Sequence, residues 1–452
     1  MGNSTSIFKD YDIRGRVPED LDEAVAERIG SAFARYLAEK GGRGKVIAGC
    51  DARLSSEALL RAFERGVLAE GFDIRDIGLV TSPLFYFSVA ESDAAGGAMI
   101  TASHNPAEWN GVKLVGPEGE PIYKENSLPK IEALSRFPMA RAASEGAILA
   151  ADFSDDYIDF LISLSALRRP LRVVADASNG SGGFLLERLF GRLGIEAETL
   201  FFKPDGRFPN HSPNPLRPDA QSAAREAVRR TRADFGFIMD ADGDRILFLD
   251  EQGRMILGTT LYAFLLDHCA VRGESAVSTV FGSRILRDIA KEKGIVLKTV
   301  SVGHPHIKAA MRKTGARIGG ELSGHYYWRE FHGFDSALLT LMHVLNIVSG
   351  SEKPFSELLR PYEKYFHSGE LSFEADAGAI GRLREKYADG RQSFLDGLMV
   401  EYDDPSGVLG TGWWFAARPS KTEPLLRLVV EADTRERLEE KIKEIGAVIH
   451  GH

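Results

Sequence analysis

The chain has only two cysteines, Cys50 and Cys269, in 452 residues. That excludes a disulfide framework and fits a reducing compartment, so a cytoplasmic location is expected. Long apolar runs are also missing. The longest, Ala337 to Val348, is broken by Thr340, His343 and Asn346 and is too short to span a bilayer. The opening MGNSTSIFKDYD has no basic segment followed by an apolar one, so no signal peptide is expected. Its Met-Gly start with Ser6 matches a myristoylation pattern too common to carry weight. Excess positive charge is absent: the formal net charge is -9, which argues against a nucleic-acid or anionic-membrane partner. A few local arginines can still bind a small anion.

What is present is an ordinary globular composition, 44% hydrophobic and 27% charged, in a chain long enough for about three or four domains. Three segments follow one plan. KVIAGCD (45–51), LRVVADASNGSGG (171–183) and ESAVSTVFGS (274–283) each read as a strand and loop. Each leads into a helix of three to four turns, a glycine stop and another strand. Serial βαβ units of this kind imply a sheet with parallel strands covered by helices. Each repeat then continues to a further apolar strand: GGAMI (96–100), DFGFIM (234–239) and ARIGG (316–320). These run into TASHNP, DADGDR and ELSGH, so the three most unusual hydrophilic motifs fall at equivalent strand ends. Ligands of open α/β sheets bind at such ends. The tail, from about Gly369, alternates short strands with helices and suggests a small α+β domain, with Thr434 as helix cap. Ser154-Asp155-Asp156 before an apolar run marks a helix start and a boundary near residue 150. The expected domains are 1–150, 151–251, 252–366 and 367–452.

In DADGDR, Asp240, Asp242 and Asp244 alternate with Ala241 and Gly243. Carboxylates this close repel one another unless a cation lies among them, and hard oxygen ligands favour Mg²⁺ or Ca²⁺. An EF-hand loop also starts D-x-D-x-D and would place its glutamate at Glu251. It fails because its sixth position is Arg245 instead of glycine and its flanks read as strands. Three carboxylates leave open positions on the metal, which suits Mg²⁺ bound to a phosphate oxygen. Ser103, in TASHNP, would by itself be a turn residue. Its strand-end position, Lys113 beyond Asn110-Gly111, and the aspartate loop of the next repeat favour a reacting serine. No G-x-S-x-G elbow is present, so acyl transfer is disfavoured, and a serine facing a metal fits phosphoryl transfer. Gly320-Glu321-Leu322-Ser323-Gly324-His325 offers the mixed polar set a hexose needs, or a plain turn. Arg418, Ser420, Lys421, Thr422 and Arg427 cluster around a strand–loop–strand, as a phosphate site or as a solvated face.

These residues, taken together and in order, resemble the α-D-phosphohexomutases. FKDYDIRG (8–15) is similar to the family's amino-terminal signature, TASHNP to its phosphoserine loop and DADGDR to its metal loop. GELSGH is similar to its sugar loop and RPSKTEP (418–424) to its phosphate loop. The resemblance implies three similar mixed α/β domains and a smaller carboxy-terminal α+β domain around a central cleft. It implies a phosphomannomutase/phosphoglucomutase that interconverts hexose 1- and 6-phosphates through phospho-Ser103. Mg²⁺ and a hexose 1,6-bisphosphate intermediate and activator would take part. The carry-over puts Mg²⁺ on phospho-Ser103, Asp240, Asp242 and Asp244. Arg14, His104 and Lys113 would stand by the phosphoserine, with Lys113 and His325 as candidates for proton transfer. Tyr11, Arg245, His304, Glu321, Ser323 and Gly324 would line the sugar side; Arg418, Ser420, Lys421, Thr422 and Arg427 would hold phosphate. The expected partners are hexose phosphates alone, and the expected state is a monomer.

FKDYDIRG favours the phosphomannomutase/phosphoglucomutase branch. Phosphoglucosamine mutases, the alternative, usually have glutamine where Leu322 stands. Three departures bear on sugar preference: Lys421 where asparagine is usual, Cys50 where arginine is common, and Phe281 where a lysine is often supplied. A metal-dependent sugar phosphatase would share Ser103 and the aspartate loop, and a non-catalytic sugar-phosphate sensor would keep the binding loops. Neither explains a separate domain with a second phosphate site.

Overall fold

The computed structural model describes residues 6–42, 44–139, 142–403, 412–420 and 425–451. The chain divides into two compact units. The first comprises Met1–Met255 with Phe334–Pro354, and the second Ile256–Gly333 with Phe355–His452.

The first unit holds two sheets. Its six-stranded sheet contains β1 (Ile13–Arg16), β2 (Lys45–Cys50), β3 (Asp73–Leu79), β4 (Gly96–Ile100), β5 (Trp109–Val115) and β6 (Ile148–Ala150) in the order β1-β5-β4-β2-β3-β6. The strands β4, β2, β3 and β6 run parallel, whereas β5 returns antiparallel to β4 and pairs with β1. Helices Glu23–Glu39 and Ser56–Ala69 cover this sheet, and Phe33, Phe63, Ile74 and Ile100 share its core. Each such fully buried side chain contributes on the order of 2 kcal/mol.

The second sheet repeats the plan with β7 (Arg172–Asp176), β8 (Glu196–Leu200), β9 (Phe235–Met239) and β10 (Ile246–Leu249) in the order β10-β9-β7-β8. Here β7 is parallel to β8 and β9, and β10 returns antiparallel. Helix Ala337–Ser349 belongs to this unit, and its Asn346 amide donates to the Leu164 carbonyl at 2.8 Å. Ser154 begins a helix, Ser154–Ser163, although the cap-like acceptor is Asp152, which takes the Ser154 amide at 2.8 Å.

In the second unit, β11 (Ser275–Thr279), β12 (Val296–Val300), β13 (Ile318–Gly320) and β14 (Tyr326–Trp328) lie in the order β12-β11-β13-β14. The first three are parallel and the fourth returns antiparallel. The chain then forms an antiparallel sheet from 366–367, 371–374, 391–393, 398–403, 412–419 and 425–432. Strand Gly412–Pro419 shows why GWWFAA has no polar face. Trp413, Phe415 and Ala417 point to the core under helices Ala379–Lys386 and Arg435–His450. Trp414 and Ala416 point the other way, onto Val280 and Phe281. The last helix is capped by Thr434, whose hydroxyl accepts from the Arg437 amide at 3.2 Å.

All three repeats therefore share one device. A third parallel strand ends, a short loop follows, and an antiparallel strand leads away. TASHNP, DADGDR and ELSGH occupy that loop in turn.

Candidate active site

In the first unit, Ser103 follows β4 and is buried, with a φ of 50° in the left-handed region. Its hydroxyl donates to Asp240 Oδ2 at 3.1 Å and lies 3.2 Å from His104 Nδ1. Its amide donates to the Thr101 hydroxyl at 2.8 Å. Arg14, on β1, reaches the loop from the sheet edge. Its Nη1 donates to the Ala102 carbonyl at 2.9 Å and to Asn105 Oδ1 at 2.7 Å, while Asp12 takes its Nε and Nη2. The close fit of β1 and β5 depends on Gly111, where a Cβ would come within 2.2 Å of the Ile13 carbonyl and 2.8 Å of the Thr101 carbonyl.

Asp240, Asp242 and Asp244 all lie buried in the loop between β9 and β10, turned by Gly243 at a φ of 69°. One carboxylate oxygen of each lies within 4.8 Å of the others. Lys113, on β5, donates to Asp242 Oδ2 at 2.6 Å and to Asp244 Oδ2 at 2.5 Å. Ser82 adds a 2.6 Å bond to Asp242 Oδ2. Arg245 donates its amide to Asp240 Oδ1 at 3.2 Å and holds its Nε 3.8 Å from Asp240 Oδ2. Burial, then repulsion from Asp244 and Asp242, pushes the Asp240 carboxyl well above the usual carboxylate range. Burial and Asp244 act on Asp242 in the same sense, but Lys113 and Ser82 outweigh them and hold it low. Burial works against the Lys113 ammonium, yet Asp242 and Asp244 raise it well above its ordinary value.

This donor set fits a hard divalent cation. Three buried carboxylates converge, and Asp242 Oδ1 is buried without a hydrogen-bond partner. Only an oxygen-preferring cation satisfies such a group without adding a donor.

In the second unit, the loop between β13 and β14 holds Glu321, Ser323, Gly324 and His325. The Glu321 carboxylate accepts from the Gly303 amide at 3.0 Å, the Ser323 hydroxyl at 3.2 Å and the Tyr327 hydroxyl at 3.4 Å. Gly324 closes the turn by donating its amide to the Glu321 carbonyl at 3.2 Å. The His304 and His325 rings lie 6.5 Å apart. Arg418 and Arg427 face each other across two antiparallel strands. Asp396 lies 3.4 Å from Arg418, and Arg427 pairs with Ser372 and lies 3.7 Å from Glu370. The Ser420 amide donates to the Leu425 carbonyl at 2.7 Å, closing the base of the loop. Lys421 and Thr422 lie outside the described residues.

Of the residues the sequence singles out, Arg14, Ser103, His104, Lys113, the three aspartates and Arg245 come together in the first unit. Tyr11 lies half-buried in the bend just before β1. Two of the departures fall in packed surroundings. Phe281 is buried against Trp414 and Val429, and Cys50 is buried with its thiol pushed up to about 12 by burial and then by Asp51. Not singled out from the sequence are Asp12 and Asn105, which lie inside FKDYDIRG and TASHNP, and Ser82, which lies in no motif and starts a helix.

Four family models match the chain in order. They describe phosphoglucomutase/phosphomannomutase alpha/beta/alpha domains I, II and III over residues 5–136, 155–253 and 256–365, and the C-terminal domain over 406–446. The chain is 36% identical to the phosphohexose mutases of Xanthomonas campestris pv. campestris, with 98% of this chain and 99% of the relative covered. It is 35% identical to the phosphomannomutase of Salmonella typhimurium, with 94% of each covered. A solved phosphoglucomutase/phosphomannomutase family protein from Burkholderia thailandensis superposes with a TM-score of 0.87 at 32% identity, with 98% of each chain covered.

Proposed function

Because the chain belongs to the phosphoglucomutase/phosphomannomutase family and is a hexose phosphate mutase, an isomerase, we propose that Ser103 carries the phosphate it exchanges with substrate. The observation that carries this reading is the contact of Ser103 Oγ with Asp240 at 3.1 Å, at the edge of a converging carboxylate set. The resting enzyme holds phosphate on Ser103. The Ser103 Oγ–P bond breaks as a sugar hydroxyl oxygen bonds to phosphorus and gives up its proton. The resulting hexose 1,6-bisphosphate then returns its other phosphate to Ser103 Oγ, which leaves the isomeric monophosphate.

Asp240, Asp242 and Asp244 would hold Mg²⁺ together with the serine phosphate. The cation supplies neutralisation of the charge that builds on the transferring phosphoryl group. Arg14 orients the serine loop through Ala102 and Asn105, and its charge favours phosphate there. Lys113 holds the Asp242 carboxyl low and aims both Asp242 and Asp244. An imidazole has one nitrogen that accepts a proton and one that donates, so His325, with His304 beside it, suits the hydroxyl proton. Glu321 and Ser323 suit sugar hydroxyls, while Arg418 and Arg427 suit the phosphate that is not reacting.

The four domains we assign are 1–150, 151–251, 252–366 and 367–452. The substrates assigned are mannose and glucose phosphates. The test is turnover of mannose 1-phosphate, glucose 1-phosphate and glucosamine 1-phosphate with catalytic glucose 1,6-bisphosphate. Fast turnover of the first two supports the assignment; turnover of the glucosamine ester alone contradicts it.

A further inference from the structure

We infer that Arg53 is a positioning residue for the reaction, one that fixes the shape of the Ser103 loop without touching substrate. The inference rests on the reading of Ser103 as phosphate carrier. The Arg53 side chain is fully buried, just past the end of β2, and each of its five N–H groups has an acceptor. Nε donates to Asp51 Oδ2 at 3.0 Å. Nη1 donates to the carbonyls of Pro106 at 2.6 Å and Trp109 at 3.0 Å. Nη2 donates to the carbonyls of Ser103 at 2.6 Å and Asn105 at 2.7 Å. Four of the five acceptors thus belong to the backbone between Ser103 and Trp109. These inward-turned carbonyls need a donor, and one guanidinium provides for all four.

The arrangement acts on Ser103 from both sides. Its carbonyl is held by Arg53. Its amide is held by the Thr101 hydroxyl, which in turn donates to Asp51 Oδ2 at 2.8 Å, the oxygen that also accepts from Arg53. One Asp51–Arg53 pair therefore brackets a non-glycine residue kept at a φ of 50°, a conformation that persists only where the surroundings impose it. A second layer holds the guanidinium. The Phe208 ring lies 5.2 Å from its central carbon, and Gly206 leaves no room for a Cβ against the Ala52 carbonyl, at 2.5 Å. Lysine has three donors and no planar fork, so it cannot serve the same acceptors.

The experiment is steady-state kinetics of Arg53→Lys and Arg53→Ala with glucose 1-phosphate and mannose 1-phosphate, with peptide mass mapping of Ser103. Misplacement of a reacting group by about 1 Å costs on the order of a hundredfold. The expected result is a kcat about a hundredfold lower, with KM essentially unchanged. Guanidinium ion at millimolar concentration should restore much of the kcat of Arg53→Ala and leave wild type unaffected. Normal kcat, a loss confined to KM, or a kcat loss without rescue overturns the inference. Should circular dichroism show that both variants fail to fold, Phe208→Leu decides. A severalfold drop in kcat at constant KM supports positioning, and an unaltered kcat overturns it. Phosphate on wild-type Ser103 together with normal Arg53 variants defeats this inference alone. An unphosphorylated wild-type Ser103 with an active Ser103→Ala variant defeats the reading beneath it as well.

Discussion

At Asp242 one oxygen is crowded and the other is bare. Oδ2 takes the Lys113 ammonium and the Ser82 hydroxyl, whereas Oδ1 has no hydrogen-bond partner. Replacing Asp242 by asparagine keeps the size and removes a charge. Divalent affinity follows ligand charge, so half-maximal activity should need at least a roughly tenfold higher Mg²⁺ concentration, as loss of a charge-assisted contact costs about 1.5–3 kcal/mol. An unchanged titration would remove Asp242 from the metal set. A second residue concerns stability. Burial, then Asp76, raises the Glu64 carboxyl to about 7 despite its 2.8 Å bond to Arg61. A carboxyl raised on folding contributes stability that is full below its unfolded pKa of about 4.3 and is lost as pH rises through the folded value. Glu64→Gln should therefore flatten the decline in Tm between pH 5 and pH 8. A parallel decline in both proteins would contradict the assignment. The candidate site residues were legible because three aspartates in one turn, or a serine ending an apolar strand, make little sense as packing. Ser82 was not legible: it is a common residue at a helix start, and its partner lies 160 positions away.

Secondary elements act here as rulers. In each of the three sheets a parallel strand gives way to an antiparallel return, so the loops that follow β4, β9 and β13 hold their motifs at matching points. That much followed from apolar runs broken by glycine stops. The antiparallel returns and the edge strand β1 did not. IRGR has no alternating pattern, and its place is decided by Gly111, which admits the Ile13 carbonyl. Gly111→Ala would force β1 and the Thr101 carbonyl away. Overpacking against backbone costs typically about 1–3 kcal/mol, and Arg14 rides on β1. Urea unfolding should show a loss of that size together with reduced kcat. Full stability and activity would mean the sheet edge yields without cost.

For the whole molecule, the first unit carries TASHNP and DADGDR, and the second carries ELSGH and the strand pair of Arg418 and Arg427. The four hydrophilic motifs and their order were readable because each interrupts a strand. The packing of Trp414 and Phe281 in the second unit was not, since GWWFAA reads equally as one buried face or two. If Arg418 holds the phosphate that is not reacting, Arg418→Ala should impair both reaction directions by about ten- to a hundredfold in substrate affinity. It should leave Ser103 phosphorylation and the Mg²⁺ requirement intact. Unaltered KM for both 1- and 6-phosphates would make that strand pair a solvated face. The most direct test of the account follows the phosphate itself. Wild-type enzyme and Ser103→Ala are incubated with hexose phosphate carrying labelled phosphate, and the label is located by peptide mass mapping while turnover is measured. The expected result is label on Ser103, its return to unlabelled hexose phosphate, and loss of nearly all turnover in Ser103→Ala. Full turnover in that variant, or label settling on any other residue, would contradict it.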